Sequence, residues 1–476
     1  MMAIPRVDSI CEPADPDNTL TDRLNTLLNS SGSEYVLNLC PNTQYFIQAP
    51  IIFAASNQEI STLGYPTNDS RAVLVVSGPV SNGTGHTTAV DGTCANCDGV
   101  RLRNVQINGM RSGAPPTSGG ANIEMGGPNS DQLIEYVHSY DPRGWSCLHV
   151  AEGSLNCNNV TVQNNDIGPA GSDLFQQWAD GISVACQNSL VRNNMIKNPT
   201  DGGIVLFGAP GTRVENNIIL VETNTLLGGI NMVDVSPFGG NYKGVVVTNN
   251  SIVGGSVFDP VTGSATKGAN NKDVVIKIGI AIGPRTWFGN RYLNDVSTGG
   301  TVLYNQLTGA FSYGIAMSSA TNFTVEGNIL VGNTYFIGEW GPNCTASDPT
   351  PSPAAFILDI NTTSKSTTQS DFQDNMDGDI LICVVPPDGG DYWQFSGNPD
   401  SSSPPISALE SSPSTSSHSS TGTIIGIVLG VIAGIIFVGL LTWCFRKWAI
   451  KHIADHSHFR AMPRAQKGYI QSKNQF

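Results

Sequence analysis

The chain has 476 residues, with 52 glycines, only 13% charged residues and a net charge of −14. This length can build a large core and more than one region, and low charge with abundant glycine is typical of a turn-rich β protein. No run of the sequence resembles a basic groove, which excludes nucleic acid as a partner. The acidic balance also repels polyanions unless local basic residues offset it.

Residues 1–18 form an N-terminal extension. Residues 1–11 contain no apolar segment of the kind that defines a secretory signal peptide. Later features indicate that most of the chain lies outside the cell. Either the start of translation is misplaced or the membrane topology is inverted. We expect the first, with a signal peptide encoded in a first exon upstream of Met1.

The first predicted element is a short helix over residues 19–29. Its leucines recur at helical spacing behind Thr21 and Asp22, and a helix here would plug the open end of the fold that follows. The leucines are Leu20, Leu24, Leu27 and Leu28. Residues 35–39 and 41–47 then predict the first strands.

Two short phrases recur between about residues 155 and 335. One is an apolar strand ending in a polar turn, with Asn-Asn or Gly-Asn at 164–165, 193–194, 216–217, 249–250 and 327–328. The other is Gly-Ile in a small apolar strand, at 181–182, 203–204, 229–230, 279–280 and 314–315. The phrases alternate, and their period suits one coil of a parallel β-solenoid. We expect stacked coils to bury their apolar sides and to let asparagines bond to one another along the axis.

The start of the chain resembles the pectate-lyase-like superfamily. The resemblance lies in the helix, the turn and strand over 41–47 and the strand over 60–64, and it covers roughly residues 15–340. It implies an all-β fold, a right-handed single-stranded parallel β-helix over 19–340 with an N-terminal helical cap. That superfamily hosts lyases, hydrolases, epimerases and adhesins, so the fold does not select one reaction. The alternative fold is a β-sandwich with accidental Asn-Asn turns.

Residues 135–145, together with His149, form one candidate cluster. They combine possible acid/base groups with aromatic rings. The alternative interpretation is a long loop with ordinary polar residues. Asp173, close to Trp178 in sequence, is a further candidate acid.

Asp180, Asp201 and Asp234 are the strongest catalytic candidates. They belong to successive coils, and equivalent positions on adjacent coils lie about 5 Å apart. Two such carboxylates can work as acid and base or as acid and nucleophile, and their crowding would raise one pKa. The catalytic hypothesis requires all three to converge in one groove. Alternatively, an Asp at a coil bend only caps backbone N–H groups.

Five other residues are candidates for binding substrate. Lys277 and Arg285 would hold a sugar carboxylate or another anion. Trp178, Tyr242 and Trp287 would stack on sugar rings. No metal site or cofactor motif accompanies them in the sequence.

This central region resembles a degraded polygalacturonase-type glycoside hydrolase. Asp180 matches the first acid of that family's pattern, Asp201 the first of its paired acids, and Lys277 approximately its lysine. Gly202 stands where the second paired acid belongs, and no Gly-His-Gly follows. The resemblance implies a hydrolase, and the departures point to a different substrate or mechanism.

The C-terminal part divides by composition. Residues 341–400 are expected to cap the solenoid, 401–422 form a Ser/Pro/Thr-rich stalk, and 423–445 are long and apolar enough for a transmembrane helix. Residues 446–476 begin with basic residues, which places them in the cytoplasm. Gly426, Gly430 and Gly434 would permit a helix-mediated dimer, or reflect only the tolerance of membrane helices for glycine.

Cysteines and glycosylation sequons indicate a secretory route. Ten cysteines and eight N-x-S/T sequons occur in the chain. Cys94 and Cys97 form a lone C-x-x-C, which favours a disulfide over a metal. Nine cysteines precede residue 400, so one thiol there is expected to be unpaired.

These observations predict a single-pass type I membrane protein with an extracellular β-helix that acts on polysaccharide. The main hypothesis is a glycoside hydrolase with carboxylates on adjacent coils. The alternatives are a non-catalytic protein that binds glycan or the cell wall, and a lyase or epimerase that uses Lys277 or Arg285 as base.

Overall fold

The computed structural model describes residues 11–111, 117–171, 178–222, 226–255, 276–288, 294–336 and 353–375. It contains helices α1 (Asp17–Ser31) and α2 (Arg285–Phe288). Its strands form three stacks, called here the first, second and third face. The strands within each stack are parallel.

The first face is a 12-stranded sheet. Its strands are β1 (Val36–Leu39), β4 (Glu59–Thr62), β9 (Arg101–Arg103), β12 (Leu133–Glu135), β15 (Thr161–Gln163), β18 (Leu190–Arg192), β21 (Arg213–Glu215), β24 (Val246–Thr248), β27 (Ser297–Leu303), β29 (Ala320–Glu326), β32 (Thr363–Ser364) and β33 (Thr367–Thr368).

The second and third faces form a 20-stranded sheet, joined through β28 (Gln306–Met317). The second face also holds β2 (Gln44–Ile47), β5 (Ala72–Val76), β10 (Val105–Asn108), β13 (His138–Tyr140), β16 (Asp166–Ile167), β19 (Met195–Lys197), β22 (Ile218–Leu220), β25 (Ser251–Gly254) and β30 (Ile329–Phe336). The third face also holds β3 (Ile51–Ile52), β8 (Val90–Asp91), β11 (Ile123–Gly126), β14 (Ser146–Ala151), β17 (Asp180–Val184), β20 (Gly202–Leu206), β23 (Leu226–Met232), β26 (Ile276–Ile282), β31 (Ala354–Asp359) and β34 (Gln373–Asn375). Strands β6 (Val80–Ser81) and β7 (Thr84–Gly85) form a separate hairpin.

Successive strands visit the three faces in turn, so each coil stacks on the one before it. On the first face one residue in each of the first ten strands points inward in the same row, because side chains alternate across a strand. These residues are fully buried: Leu37, Ile60, Leu102, Ile134, Val162, Val191, Val214, Val247, Val302 and Val325. The predicted parallel β-solenoid is confirmed. Its right-handed winding stays a prediction.

A ladder of buried asparagines runs along the corner between the first and second faces. The side-chain amides of the first five donate to the side-chain oxygen of the next asparagine at 2.9 Å, and that of the last donates to Gln369 Oε1 at 3.4 Å. Each also donates to a backbone carbonyl of the preceding coil at 3.0–3.1 Å. The members are Asn165, Asn194, Asn217, Asn250, Asn305 and Asn328. This ladder is the axial bonding that the Asn-Asn phrases predict.

The Gly-Ile phrases form a column on the third face. Gly181, Gly203, Gly229, Gly279 and Gly314 lie above one another in neighbouring coils. A Cβ at Gly203 would lie 2.5 Å from the carbonyl oxygen of Gly229 and 2.9 Å from the Ile219 side chain. The position faces the packed interior, where nothing larger than glycine fits.

Helix α1 closes the N-terminal end, as expected. Leu20, Leu24 and Leu28 are fully buried in the main core, and Leu27 packs against it. Asn25 fixes the helix to the first coils: its Oδ1 accepts from the backbone N of Ile52 at 2.8 Å, and its Nδ2 donates to the carbonyl of Pro50 at 3.0 Å.

Among the described residues, three disulfides join Cys11 to Cys40, Cys94 to Cys97, and Cys157 to Cys186. The predicted C-x-x-C disulfide is confirmed. Cys147 is buried and unpaired. Neither described helix has the length and apolar composition to span a bilayer. The predicted transmembrane segment, stalk, tail and most of the predicted cap lie outside the described residues.

Candidate functional site

Asp180 begins β17 on the third face and is 1% exposed. Its Oδ2 accepts a hydrogen bond from the Ser183 hydroxyl at 2.9 Å, and its Oδ1 accepts one from the backbone N of Gly202 at 2.9 Å. The Ser183 hydroxyl also lies 3.0 Å from that of Ser146 on the preceding coil. The carboxylate is therefore held in one orientation between two coils.

Asp201 precedes β20 on the next coil and is partly buried. Gly202 occupies the position beside Asp180, so the Cα atoms of the two aspartates lie about 6 Å apart at ordinary strand spacings. Since Gly202 aligns with Gly228 and Leu226 with Ile276, Asp201 shares a row with Leu227 and Lys277. Lys277 is fully buried. Asp180, Asp201 and Lys277 thus lie within four coils at the start of the third-face strands.

Asp234 and Arg285 lie at the opposite end of these strands. Gly228, in the row of Asp180, starts a stretch that continues to Met232, about 13 Å further along the strand. Asp234 follows beyond that end, and Arg285 opens α2 just after the neighbouring strand β26. The three candidate acids therefore do not converge in one groove, as the three-acid catalytic hypothesis requires; the register separates Asp234 from Asp180 and Asp201, which stay on adjacent coils. The reason is register, because each successive residue of a strand lies about 3.3 Å further from the row of Asp180.

Two of the predicted aromatic residues lie in one cluster on the third face. Trp178 and Trp287, 6% and 7% exposed, pack with Leu227, Ile278 and Tyr313 in a group separate from the main core. Burial raises the pKa of the Tyr313 hydroxyl. Little of either indole is therefore exposed to solvent.

Tyr242 is inside the solenoid, contrary to the expectation that it stacks on a sugar. It is fully buried in the main core, with its ring 6.3 Å from that of Phe323. Its hydroxyl donates to the carbonyls of Leu206 at 2.8 Å and Asp234 at 3.1 Å. A ring in this place offers no face to a ligand, and its burial raises the pKa of the phenol.

The cluster predicted over residues 135–145 separates between faces. Glu135 belongs to the first face, where it forms an ion pair with Arg103 at 2.6 Å. His149 belongs to the third face, where its Nδ1 lies 2.7 Å from Glu124 Oε2 and its ring contacts that of Trp145. Glu135 is therefore a structural charge, whereas His149 stands one coil before Ser183. Asp173 lies outside the described residues.

The sequence interpretation does not identify three polar residues that lie around Asp180: Ser146, Ser183 and Asn231. A signal for two of them exists. Alignment of the Gly-Ile phrases puts Ser183, Val205 and Asn231 in the same place, directly after the isoleucine. The register confirms that these positions stack in one row. A polar residue in that row marks the face that carries Asp180.

Comparison with solved structures finds several distant matches to this chain. No family model matches this chain, and no curated protein matches it. A DFA-IIIase from Arthrobacter chlorophenolicus is 12% identical, with a TM-score of 0.44, over 75% of this chain and 89% of that one. The A-module of a mannuronan C-5 epimerase from Azotobacter vinelandii is 13% identical, with a TM-score of 0.39, over 75% and 96%. PfbA, a surface adhesin of Streptococcus pneumoniae, is 12% identical, with a TM-score of 0.39, over 75% and 84%. Likeness at this level does not extend to a shared activity.

Proposed function

We propose that this chain is a cell-surface glycoside hydrolase of polysaccharides, with Asp180 and Asp201 as its paired carboxylates. One observation carries the proposal: the coil register puts both aspartates and Lys277 at one end of the third face, beside the cluster of Trp178 and Trp287. A row of neighbouring coils offers an extended surface, which suits a polymer.

The chemistry requires the carboxylates of Asp180 and Asp201, whose Cα atoms lie about 6 Å apart in neighbouring rows, to turn toward the same glycosidic bond. One protonates the leaving oxygen of the glycosidic bond, and the other attacks the sugar carbon or activates water. Asp180 is held by Ser183 and by the backbone N of Gly202, so its carboxylate needs little reorganisation in the reaction. Lys277, two coils beyond Asp201, would supply positive charge next to the site.

The test uses the full-length protein, purified in detergent, and a panel of plant and microbial cell-wall polysaccharides. We expect new reducing ends without unsaturated products. Asp180→Asn and Asp201→Asn should each lower the rate by about 100-fold or more, because removal of an acid/base group typically has that effect.

Asp359→Asn is the matched control. Asp359 is another fully buried aspartate on the third face, and it accepts a hydrogen bond from the Ser318 hydroxyl at 3.1 Å, several coils from the site. A similar loss in all three variants, or full activity in Asp180→Asn, would contradict the assignment. Unsaturated products would instead favour the lyase or epimerase alternative, with Lys277 or Arg285 as base.

A non-catalytic glycan-binding or cell-wall protein is the second candidate. Gly202 in the place of the second paired acid, with no Gly-His-Gly after it, favours this alternative, since two groups of the hydrolase pattern are missing. Retention of the protein on one immobilised glycan, with no reducing ends from any member of the panel, would establish this alternative.

The same proposal includes the membrane setting. Residues 423–445 would cross the bilayer once, 446–476 would lie in the cytoplasm, and glycines at 426, 430 and 434 would allow a dimer. The solenoid would then be an extracellular glycoprotein. Its exposed sequon asparagines include Asn68, Asn82, Asn249 and Asn322. Protease protection of only the last 30 or so residues in sealed membrane vesicles would test this topology.

A further inference from the structure

Asn231 has an acceptor atom without a donor. Its side chain is 4% exposed, and among the described residues its Oδ1 has no hydrogen-bond partner. Buried amide oxygens almost always have one. An unpaired acceptor of this kind can take a hydrogen bond from a donor outside the described residues.

The amide of Asn231 lies close to the carboxylate of Asp180. A Cβ placed on Gly202 would be 3.1 Å from Asn231 Nδ2 and 3.1 Å from Asp180 Oδ1. The two atoms are therefore no more than about 6 Å apart, which one hydroxyl group can bridge.

Two glycines make this approach possible. Gly202 and Gly228 occupy the row of Asp180 on the next two coils, and the Asn231 amide folds over Gly228 so closely that a Cβ there would overlap it. An alanine at position 228 would therefore displace the amide without removing it.

We propose that Asp180 and Asn231 form a subsite for the hydroxyl groups of a neutral sugar unit. A sugar hydroxyl donates to the Asp180 carboxylate or to Asn231 Oδ1, and it accepts from Asn231 Nδ2. Both polar atoms of the amide can therefore bind hydroxyl groups. This inference rests on the proposed function, since it assigns a substrate class to the same site.

The surroundings favour a neutral sugar over a uronate. Asp180 and the Asn231 carbonyl are both acceptors, and Glu124 and Asp91 lie on preceding coils of the same face. The chain carries a net charge of −14. Lys277, on the coil after Asn231, offsets only one of these negative charges, so an anionic sugar would still meet net repulsion here. The apolar cluster of Trp178, Leu227 and Ile278 suits the C–H face of a neutral ring.

The test measures binding to the full-length protein in detergent by calorimetry. The probes are cellohexaose, xylohexaose and mannohexaose, with hexagalacturonate as the charged comparison. We expect at least one neutral hexaose to bind, and Asn231→Leu to weaken that binding about tenfold, as loss of a buried hydrogen bond does. Gly228→Ala should weaken it similarly, which covers the case in which Asn231→Leu does not fold. Asn241→Leu, at an exposed asparagine that forms an isolated bridge with Thr298, is the control and should bind as the wild type does.

Three results would overturn the inference: wild-type affinity in both site variants, tighter binding of hexagalacturonate than of any neutral hexaose, or no neutral binding. The outcome is separate from that of the hydrolase test. Asn231-dependent binding without cleavage removes only the hydrolase proposal. Cleavage that depends on Asp180 but not on Asn231 removes only this inference.

Discussion

The asparagine corner and the third face are built from the same coils but differ in how strictly they repeat. At the corner, six successive coils each place an asparagine in the ladder, and the residue before it adopts a left-handed conformation with φ between 54° and 66°. On the third face, the row after the inward isoleucine changes at every step, from Ser183 to Val205 to Asn231 to Ala281.

The difference separates scaffold from site. A residue that recurs in every coil has a structural role common to all coils, here hydrogen bonding to buried polar backbone groups. A polar residue that occurs in one coil only has no such common cause. Asp180, Ser183 and Asn231 are residues of this second kind, which is why the candidate site is expected on the third face.

The largest effect is expected from breaking the ladder at its centre. Asn217→Ala would remove the acceptor of the Asn194 side-chain amide and backbone N, and one donor to the Val191 carbonyl. We expect a loss of about 3–5 kcal/mol in the free energy of unfolding, since several buried groups lose partners at once. Chemical denaturation measures it.

The neighbouring residue is the matched control. Asn216 is exposed at φ 57°, and Asn216→Ala should cost only about 1 kcal/mol, the strain of a left-handed alanine. Equal losses in the two variants would show that the turn, and not the ladder, stabilises the corner.

The glycine column gives the next largest effect. Gly203→Ala would press a Cβ against the carbonyl oxygen of Gly229 and the Ile219 side chain, both of which are fixed by packing. We expect a loss of about 2–3 kcal/mol on thermal unfolding, typical of overpacking in a core. Gly83→Ala in the β6/β7 hairpin, with nothing within 4 Å of the added carbon, should cost about 1 kcal/mol from its positive φ alone. If Gly203→Ala costs no more than Gly83→Ala, the column is not tightly packed.

The repeating side of the molecule was accessible from the sequence. The Asn-Asn and Gly-Ile phrases predicted the coil, the ladder and its axial direction, and four leucines predicted the N-terminal cap. Asn305 was missed because Tyr304 takes the left-handed position that asparagine holds in most other coils. The second residue of each pair forms the ladder, whereas the Asn-Asn and Gly-Asn pattern required a particular residue at both positions.

The site was less accessible because it depends on register. Asp234 follows a Gly-Gly-Ile phrase as Asp201 precedes one, and sequence spacing does not reveal that they fall at opposite ends of their strands. Tyr242 was misplaced for a similar reason: its chain segment turns inward, and no local signal distinguishes a buried tyrosine from an exposed one. The positions of Asp180 and Lys277 along their strands follow from the sequence, because each lies in a strand whose Gly-Ile phrase fixes the register.

The smallest expected effect is on the pH dependence of stability. It should differ between the asparagine corner, which has no titrating group, and the coils of the third face, which carry His86. His86 is buried before β8; its Nδ1 accepts from the backbone N of Gly78 at 3.0 Å, and its Nε2 lies 2.8 Å from the carbonyl of Thr88. Burial, with the nearby Arg143, lowers the pKa of His86 below its usual value. The unfolded chain therefore binds a proton more readily than the folded one, and stability falls as the pH drops below about 6.5.

Replacement of this histidine should remove part of that acid sensitivity. His86→Gln keeps a side chain that can both donate and accept, so we expect a smaller loss of stability between pH 7.5 and pH 5 than in the wild type. The loss caused by Asn217→Ala should instead be the same at both pH values, because the ladder contains no group that titrates in this range. Denaturation curves at the two pH values measure both. An unchanged acid loss in His86→Gln would assign the sensitivity to another group such as His138, whose burial also lowers its pKa.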